Sequence, residues 1–387
     1  MKQGHDVIVI GAGVIGTAVA YLLAREGINV GLIDRGNAAS GTSGATMGNL
    51  SLHNRLPGPT MDLALASYSL YREWSETLPS DFEFEIVSSL MLIGDDHALD
   101  WARERVTIQR EAGLNVEFID ARRLAEVDDT VAGDIPGAVY CPPSARLNPF
   151  LLCNTLAQSA ERLGARFYRH TEVTDVLVAH GAIAGVAAGK KTIGCDLVVN
   201  AAGVDSGCIA RMAGAHIPIV GNRGVLAVTE RFKDPGIRVK GECTEGGLKD
   251  TPQDALDARY DVHLVFSQTQ SGNCLIGRSG EPLHECSAKG IAEAAFTILR
   301  RAQRFIPGIS RIPLIRVFHG VRPYSPDSLP ILGEMTSPRR LFAACGFGDK
   351  GFALGAAGAQ LVVDAIINRG LEIEEIFSPA RFSAAGR

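Results

Sequence analysis

The chain opens on an apolar run, Asp6-Val-Ile-Val-Ile10, closed by glycine. Short β-branched runs bounded in this way predict a strand buried on both faces of a parallel sheet. An Ala/Leu-rich helix follows to about Glu26, Gly27 stops it, and a second apolar run covers Asn29–Asp34. Strand, helix and strand in about thirty residues make a βαβ unit. A small-residue loop spans 38–49, and helical spacing of apolar positions covers Met61–Leu78. From 82 to 145 the pattern changes to short mixed runs, with a charged helix near 96–112 and a proline pair at 142–143. Helical spacing returns over Pro149–Leu163. Then come a strand-like run at Ala165–Val173, a hairpin turning at His180-Gly181, and an apolar strand over Cys195–Gly203. Residues 216–319 are strand-rich with polar insertions, notably 241–262, and carry one amphipathic helix near 288–305. The opening style resumes at the end, where strand Leu341–Ala344 leads through a glycine loop into an Ala-rich helix ending near Ile367.

Two textures therefore alternate along 387 residues, a length suited to two domains. The fold class is α/β. A Rossmann-like parallel-sheet domain is assembled from 1–80, 146–215 and 320–387, and 81–145 with 216–319 build an antiparallel-sheet (α+β) substrate domain.

Charge narrows the partners. Lys plus Arg total 38 against 43 for Asp plus Glu, a net −5, which argues against nucleic acid, whose binders are basic. No two of the eight cysteines lie closer than twelve positions and the nine histidines show no paired spacing, so no metal site is expected. Val7–Ala24 is uncharged, but three glycines and the βαβ context give it a better explanation than a membrane span. No other targeting signal is evident, and a soluble, cytoplasmic protein is expected.

Three glycine-rich or small-residue segments carry the candidate chemistry. In Gly11-Ala-Gly13-Val14-Ile15-Gly16 the first glycine permits the tight turn, the second lets backbone N–H groups approach a pyrophosphate, and the third lets helix and strand pack closely. The helix N-terminus faces the anion. Asp34, at the end of the second strand, is placed for ribose hydroxyls. Thr42-Ser43-Gly44-Ala45-Thr46-Met47-Gly48-Asn49 supplies small donors just beyond it. A second such loop, Gly346-Phe347-Gly348-Asp349-Lys350-Gly351-Phe352, opens the last helix. Its N-terminus can stabilise negative charge on a reduced flavin ring. The two loops together favour FAD, which is long enough to span them, over NAD. In His319-Gly-Val-Arg322-Pro-Tyr-Ser-Pro-Asp327, Arg322 offers a planar fork for a carboxylate; an ion pair with Asp327 is the alternative. Asn222-Arg223-Gly224 suggests backbone packing near the ring. His53 and Asn54 follow the 42–49 loop as candidates to face a substrate, a partly buried histidine without a role being the equal alternative.

These residues resemble the D-amino-acid oxidase family of FAD flavoproteins, which includes glycine oxidase, sarcosine oxidases, D-amino-acid dehydrogenases and the flavin subunits of opine and hydroxyproline dehydrogenases. The resemblance covers nearly the whole chain: GAGVIG with Asp34, the 42–49 loop, Asn148-Pro149, Ala201–Gly203, GVRPYSPDSLPILG at 320–333 and GFGDKGF at 346–352. It implies an enzyme whose parallel-sheet domain binds FAD through Gly11, Gly13, Val14, Ile15, Gly16, Asp34, Arg35, Thr42, Ser43, Met47, Gly48 and Asn49. Val173 near the adenine, Ala202, Gly203 and the 346–352 loop complete that set. It also implies that Arg322 binds a substrate carboxylate; His53, from its position after the 42–49 loop, is a further catalytic candidate. Val321 beside Arg322, with no nearby cysteine, and the lack of a flavin-linking histidine beside Asn148 point to non-covalent FAD. No lysine lies near Cys274–Gly277 where sarcosine oxidases place one for oxygen, which leans towards a dehydrogenase. The implied reaction is oxidation of the C–N bond of a small amino acid or secondary amino acid (D-amino acid, glycine/sarcosine, proline or opine type) to an imine. The electron acceptor is O2, a quinone or a partner subunit. Two alternatives stay open: an FAD-binding subunit inactive without its hetero-oligomeric partners, and an NAD-linked dehydrogenase using only the first glycine motif.

Overall fold

In the computed structural model, residues 4–231, 242–246, 255–368 and 373–382 are described. The end of the last proposed domain segment, 383–387, lies outside them, as do residues 241 and 247–254 of the polar insertion at 241–262. The described strands form two sheets. The first runs in the order Ile331–Glu334, Leu341–Cys345, Lys191–Asn200, Gly4–Ile10, Val30–Ile33, Arg166–Tyr168. Along this path the pairs are parallel except that of the edge strand Ile331–Glu334. Ile8, Val9, Leu32 and Ile33 have no more than 1% exposure, as strands covered on both faces should. The hairpin Val173–Ala179/Ala182–Ala188 joins the leading half of Lys191–Asn200. Its two turn residues, His180 and Gly181, have φ of 51° and 73°, the left-handed pair that two-residue hairpins favour.

The chain's two ends meet in this sheet. Strand Leu341–Cys345 lies parallel to Lys191–Asn200, which lies parallel to Gly4–Ile10. Helix Gly351–Ile367 packs on helix Val14–Arg25. Their approach is close enough that a Cβ on Gly355 would sit 2.5 Å from Ile15 Cδ1.

The second sheet orders its strands Glu281–Pro282, Val220–Arg231, Asn273–Gly277, Val265–Gln268, Cys243–Gly246, Glu85–Ile93, Gly137–Arg146, Asn49–Leu50. Leu314–Tyr324 pairs with Val220–Arg231, and Glu117–Asp120 with Gly137–Arg146. Its pairings are antiparallel except between Cys243–Gly246 and Glu85–Ile93. Gly137–Arg146 accommodates Pro142-Pro143 at a register shift between Val87 and Ser89, where a bulge removes the need for ladder donors. Helix Ala288–Phe305 covers this sheet with Ala294, Ala295, Ile298, Ala302 and Phe305. Leu314–Tyr324 runs unbroken through the domain boundary read at 320, so Arg322 hangs from the second sheet rather than the first. No described helix is long and apolar enough to cross a membrane.

Candidate functional site

The first loop is shaped by contacts that exclude side chains. Gly11 has φ +105° and donates its N–H to Ile33 O at 2.8 Å; a Cβ there would overlap the Ala201 carbonyl, and one on Gly16 would overlap the Gly11 carbonyl. A Cβ on Gly13 would stand 2.8 Å from Ser43 Oγ. That hydroxyl accepts from Val14 N at 3.0 Å, tying the first loop to the 42–49 segment. Gly13 gives helix Val14–Arg25 no side-chain cap of its own and its first turn has no acidic residue, so beyond Val14 N, which Ser43 Oγ takes, the N-terminus presents N–H groups to an anion.

Asp34 braces this loop. Its carboxylate accepts from Ala12 N and Gly36 N, each at 2.7 Å, and with about four lone-pair sites it retains acceptors for ribose hydroxyls. Thr171 N donates to Asp34 O at 2.8 Å, bringing the approach to Val173 alongside. Val173 itself is buried with Ile8, Ile10 and Ile33. Arg35 pairs with Asp205 at 2.7 Å on the surface, just beyond Ala202 and Gly203 (φ +59°).

The terminal loop turns through Gly346 and Gly348, both with positive φ. Helix Gly351–Ile367 likewise starts without a side-chain cap or an early acid. Gly348 N donates to Pro323 O at 2.8 Å, and a Cβ on Gly348 would lie 2.5 Å from the Tyr324 ring. From the other side Thr42 Oγ1 donates to Val321 O at 2.5 Å. Both loops are thus fastened to the strand carrying Arg322.

They enclose a cavity of about 720 Å3, within the usual range of ligand sites of roughly 300–1,000 Å3. Val14, Thr42, Ser43, Met47, Asn49, Arg322 and Gly348–Phe352 line it, together with Met91, Leu226, Glu242, Thr244, His263 and Arg278 from the second sheet's side. Among the described residues no cysteine lines it, and no cluster of three or more His, Cys, Asp or Glu could hold a metal. Two helix N-termini without an acidic first turn, reaching one cavity through Val14 and through Gly351, fit a long anionic cofactor bearing a ring.

Arg322 Nη1 donates to Ser279 O at 2.7 Å and to Asn222 Oδ1 at 3.3 Å. Among the described residues no carboxylate pairs with it. Asp327, the alternative partner, is engaged by Arg381 at 2.7 Å, which with its other hydrogen bonds holds the Asp327 carboxyl down at about 2. Burial and then the charge of Arg278 lower the Arg322 pKa. Asn222 and Gly224 serve this side chain directly, the first as acceptor and the second as the bare floor beneath the guanidinium. Arg223 turns away into a buried ion pair with Glu281.

His53 stands apart. It is 0% exposed, bonded to Ser89 Oγ at 2.8 Å and Thr244 Oγ1 at 3.3 Å, and does not line the cavity. Burial, then Arg105 and Arg55, push it down to about 3, so the ring is neutral. Its neighbour Asn54 does line the cavity.

The cavity also holds charged groups that no sequence motif flagged. Arg278 pairs with Asp349 at 2.6 Å. His263 is raised to about 9 by Asp261 and Glu245. Burial raises Glu242 to about 7 against the pull of Arg55 and Arg278. Alternation along the strands around 243 and 265 was the only signal, and it does not say which face meets a cavity.

A dinucleotide fold whose ends close on one cavity beneath a second sheet defines a flavin-type oxidoreductase. The family model described as DAO, FAD dependent oxidoreductase, matches residues 6–365, and the chain belongs to that family of FAD-dependent enzymes. Membership sets aside the NAD-linked alternative. The chain is 26% identical to a glycine oxidase of Bacillus subtilis over 373 residues, 95% of each protein. It is 28% identical to hydrogen cyanide synthase subunit HcnC of Pseudomonas aeruginosa, covering 89% of this chain and 88% of that one. The crystal structure of glycine oxidase from Geobacillus kaustophilus superposes with a TM-score of 0.83 at 24% identity, over 98% of this chain and 97% of that one, a likeness of fold.

Proposed function

We propose that this protein oxidises the C–N bond of a small amino acid or secondary amino acid to an imine, which water then hydrolyses. The observation carrying the reading is Arg322: a guanidinium lining the cavity, held by two oxygens on one nitrogen, with no carboxylate partner among the described residues. Such a fork takes a carboxylate bidentately. The names of the relatives support an amine substrate: glycine oxidase, and sarcosine oxidase subunit beta of Rhodobacter capsulatus at 26% identity.

FAD, when bound, supplies the acceptor for the hydride. The 11–16 loop, Asp34, the 42–49 segment and the 346–352 loop would hold it. The protein's own contribution is placement: Arg322 fixes the carboxylate, which restricts where the Cα–H and the amine can lie. The amine must shed its proton first, because an ammonium withholds the lone pair that drives hydride departure. Non-covalent FAD is part of this reading, as is electron transfer to O2, a quinone or a partner subunit.

A second reading, a flavin subunit inactive alone, draws on the names of HcnC and sarcosine oxidase subunit beta. One experiment separates the two. The purified yellow protein is mixed without oxygen with D-amino acids, N-methyl glycines, prolines and opines. Loss of the oxidised-flavin band with any of them shows that this chain performs the oxidation. A flavin left oxidised by the whole panel, but reduced once partner subunits are added, favours the second reading.

A further inference from the structure

The cavity contains more positive charge than one carboxylate needs. Several of its cations are already engaged: Arg278 with Asp349, Arg301 with Glu245 and Asp257, Arg304 with Asp134, and Arg105 with the His53 carbonyl. Arg55 is different. Its Nε is shielded from solvent and has no hydrogen-bond partner, and among the described residues no carboxylate lies within ion-pair distance. The nearest opposing charges are Asp349 and Glu242, felt at longer range. Glu242 is itself unmatched, its Oε2 buried without a partner.

The backbone under Arg55 is held firmly. Gln109 Nε2 donates to the carbonyls of both His53 (2.8 Å) and Arg55 (2.5 Å), and Arg105 Nη2 donates to His53 O at 3.1 Å. Helix Leu99–Glu111 thus clamps the turn and fixes the starting point of the side chain. Keeping a shielded guanidinium N–H without a partner is unfavourable. An incoming anion would relieve that cost, so the arrangement reads as a binding feature rather than a stabilising one.

Arg55 and Arg322 line the same cavity as the Arg278–Asp349 pair, and the charge of each lowers the pKa of Asp349. We propose that the cavity accepts an amino acid carrying two carboxylates, Arg322 taking the one beside the reacting carbon and Arg55 the second. This rests on the amine-oxidising function proposed above and narrows its substrate class. The second carboxylate belongs either to the side chain, as in glutamate, or to the nitrogen substituent, as in an N-carboxymethyl amino acid. Glu242 completes the pole. With burial raising it to about 7, it is partly protonated near neutrality, where it neither cancels Arg55 nor repels a carboxylate fully, and its O–H can donate.

Binding is tested first without chemistry, by calorimetry of the FAD-loaded protein with glutarate and with butyrate as its one-carboxylate counterpart. Glutarate is expected to bind at least tenfold more tightly. Arg55→Met should abolish that advantage while leaving butyrate and FAD content unchanged, and Arg322→Met should weaken both ligands. Equal binding of the two acids, an advantage surviving in Arg55→Met, or loss of FAD from that variant would overturn the proposal. Anaerobic flavin reduction then compares glutamate, N-carboxymethylglycine and glycine. Faster reduction by either diacid supports the proposal and identifies where its second carboxylate sits. Reduction by glycine as fast as by both diacids overturns it while amine oxidation stands. A glutarate advantage with no reduction by any amine would instead refute amine oxidation by this chain alone and leave the anion site standing.

Discussion

The guanidinium of Arg322 lies flat over Gly224, so close that a Cβ on the glycine would come 2.5 Å from Nη1 and closer still to Cζ and Nη2. The two strands are paired at Gly224 and Gly320, which aims the arginine across its neighbour. Gly224→Ala is expected to fold and bind FAD but to displace the fork. Loss of one charge-assisted hydrogen bond, about 1.5–3 kcal/mol, corresponds to a rise of roughly 10–100-fold in KM for carboxylated amines. Steady-state kinetics check this; an unchanged KM would show that the fork's position does not matter.

Asp34 accepts two backbone N–H bonds, one of them from within the glycine loop. Asp34→Ala removes that brace along with the ribose acceptor. The flavin-to-protein ratio after gel filtration is expected to fall below half the wild-type value. Full flavin retention would separate Asp34 from cofactor binding.

Glu242 provides a pH signature. Its folded-state pKa is raised from 4.5 to about 7, chiefly by burial, with Arg55 and Arg278 opposing and Asp349 assisting. The stability tied to its neutral form is therefore fully present below about pH 4.5 and lost as pH rises through about 7. Glu242→Gln, which stays neutral, should match the wild-type Tm at acid pH and exceed it in mildly alkaline buffer. A Tm difference independent of pH would contradict this assignment.

No cysteine lines the cavity among the described residues, and His263 is held between Asp261 and Glu245. Acid precipitation is expected to release the yellow chromophore into the supernatant. A yellow pellet would show a covalent link.

The βαβ opening, the hairpin at His180-Gly181 and the closing helix were legible because each is written locally, in apolar period and glycine placement. Arg322 was legible through its proline-stiffened surroundings. The Arg55–Glu242 side was not. Cys243 pairs with Leu90, more than 150 residues away, so which charges face the cavity depends on long-range register. His53 misled for a related reason. It follows the 42–49 loop, but the turn that exposes Asn54 and Arg55 to the cavity drops His53 beneath the sheet against Ser89. The 320 boundary fell inside Leu314–Tyr324 because His319-Gly320 interrupts the apolar pattern without interrupting the strand, whose pairing with Val220–Arg231 is long-range.

The central claim is that Arg322 anchors the carboxylate of the amine that reduces the flavin. Anaerobic stopped-flow reduction of wild-type and Arg322→Met holoprotein by the best amine of the panel tests it most directly. The expected result is a variant that keeps its FAD and requires at least about a hundredfold more amine for half-maximal reduction, the loss of a bidentate charged contact. Reduction of the variant at wild-type amine concentrations would contradict the claim.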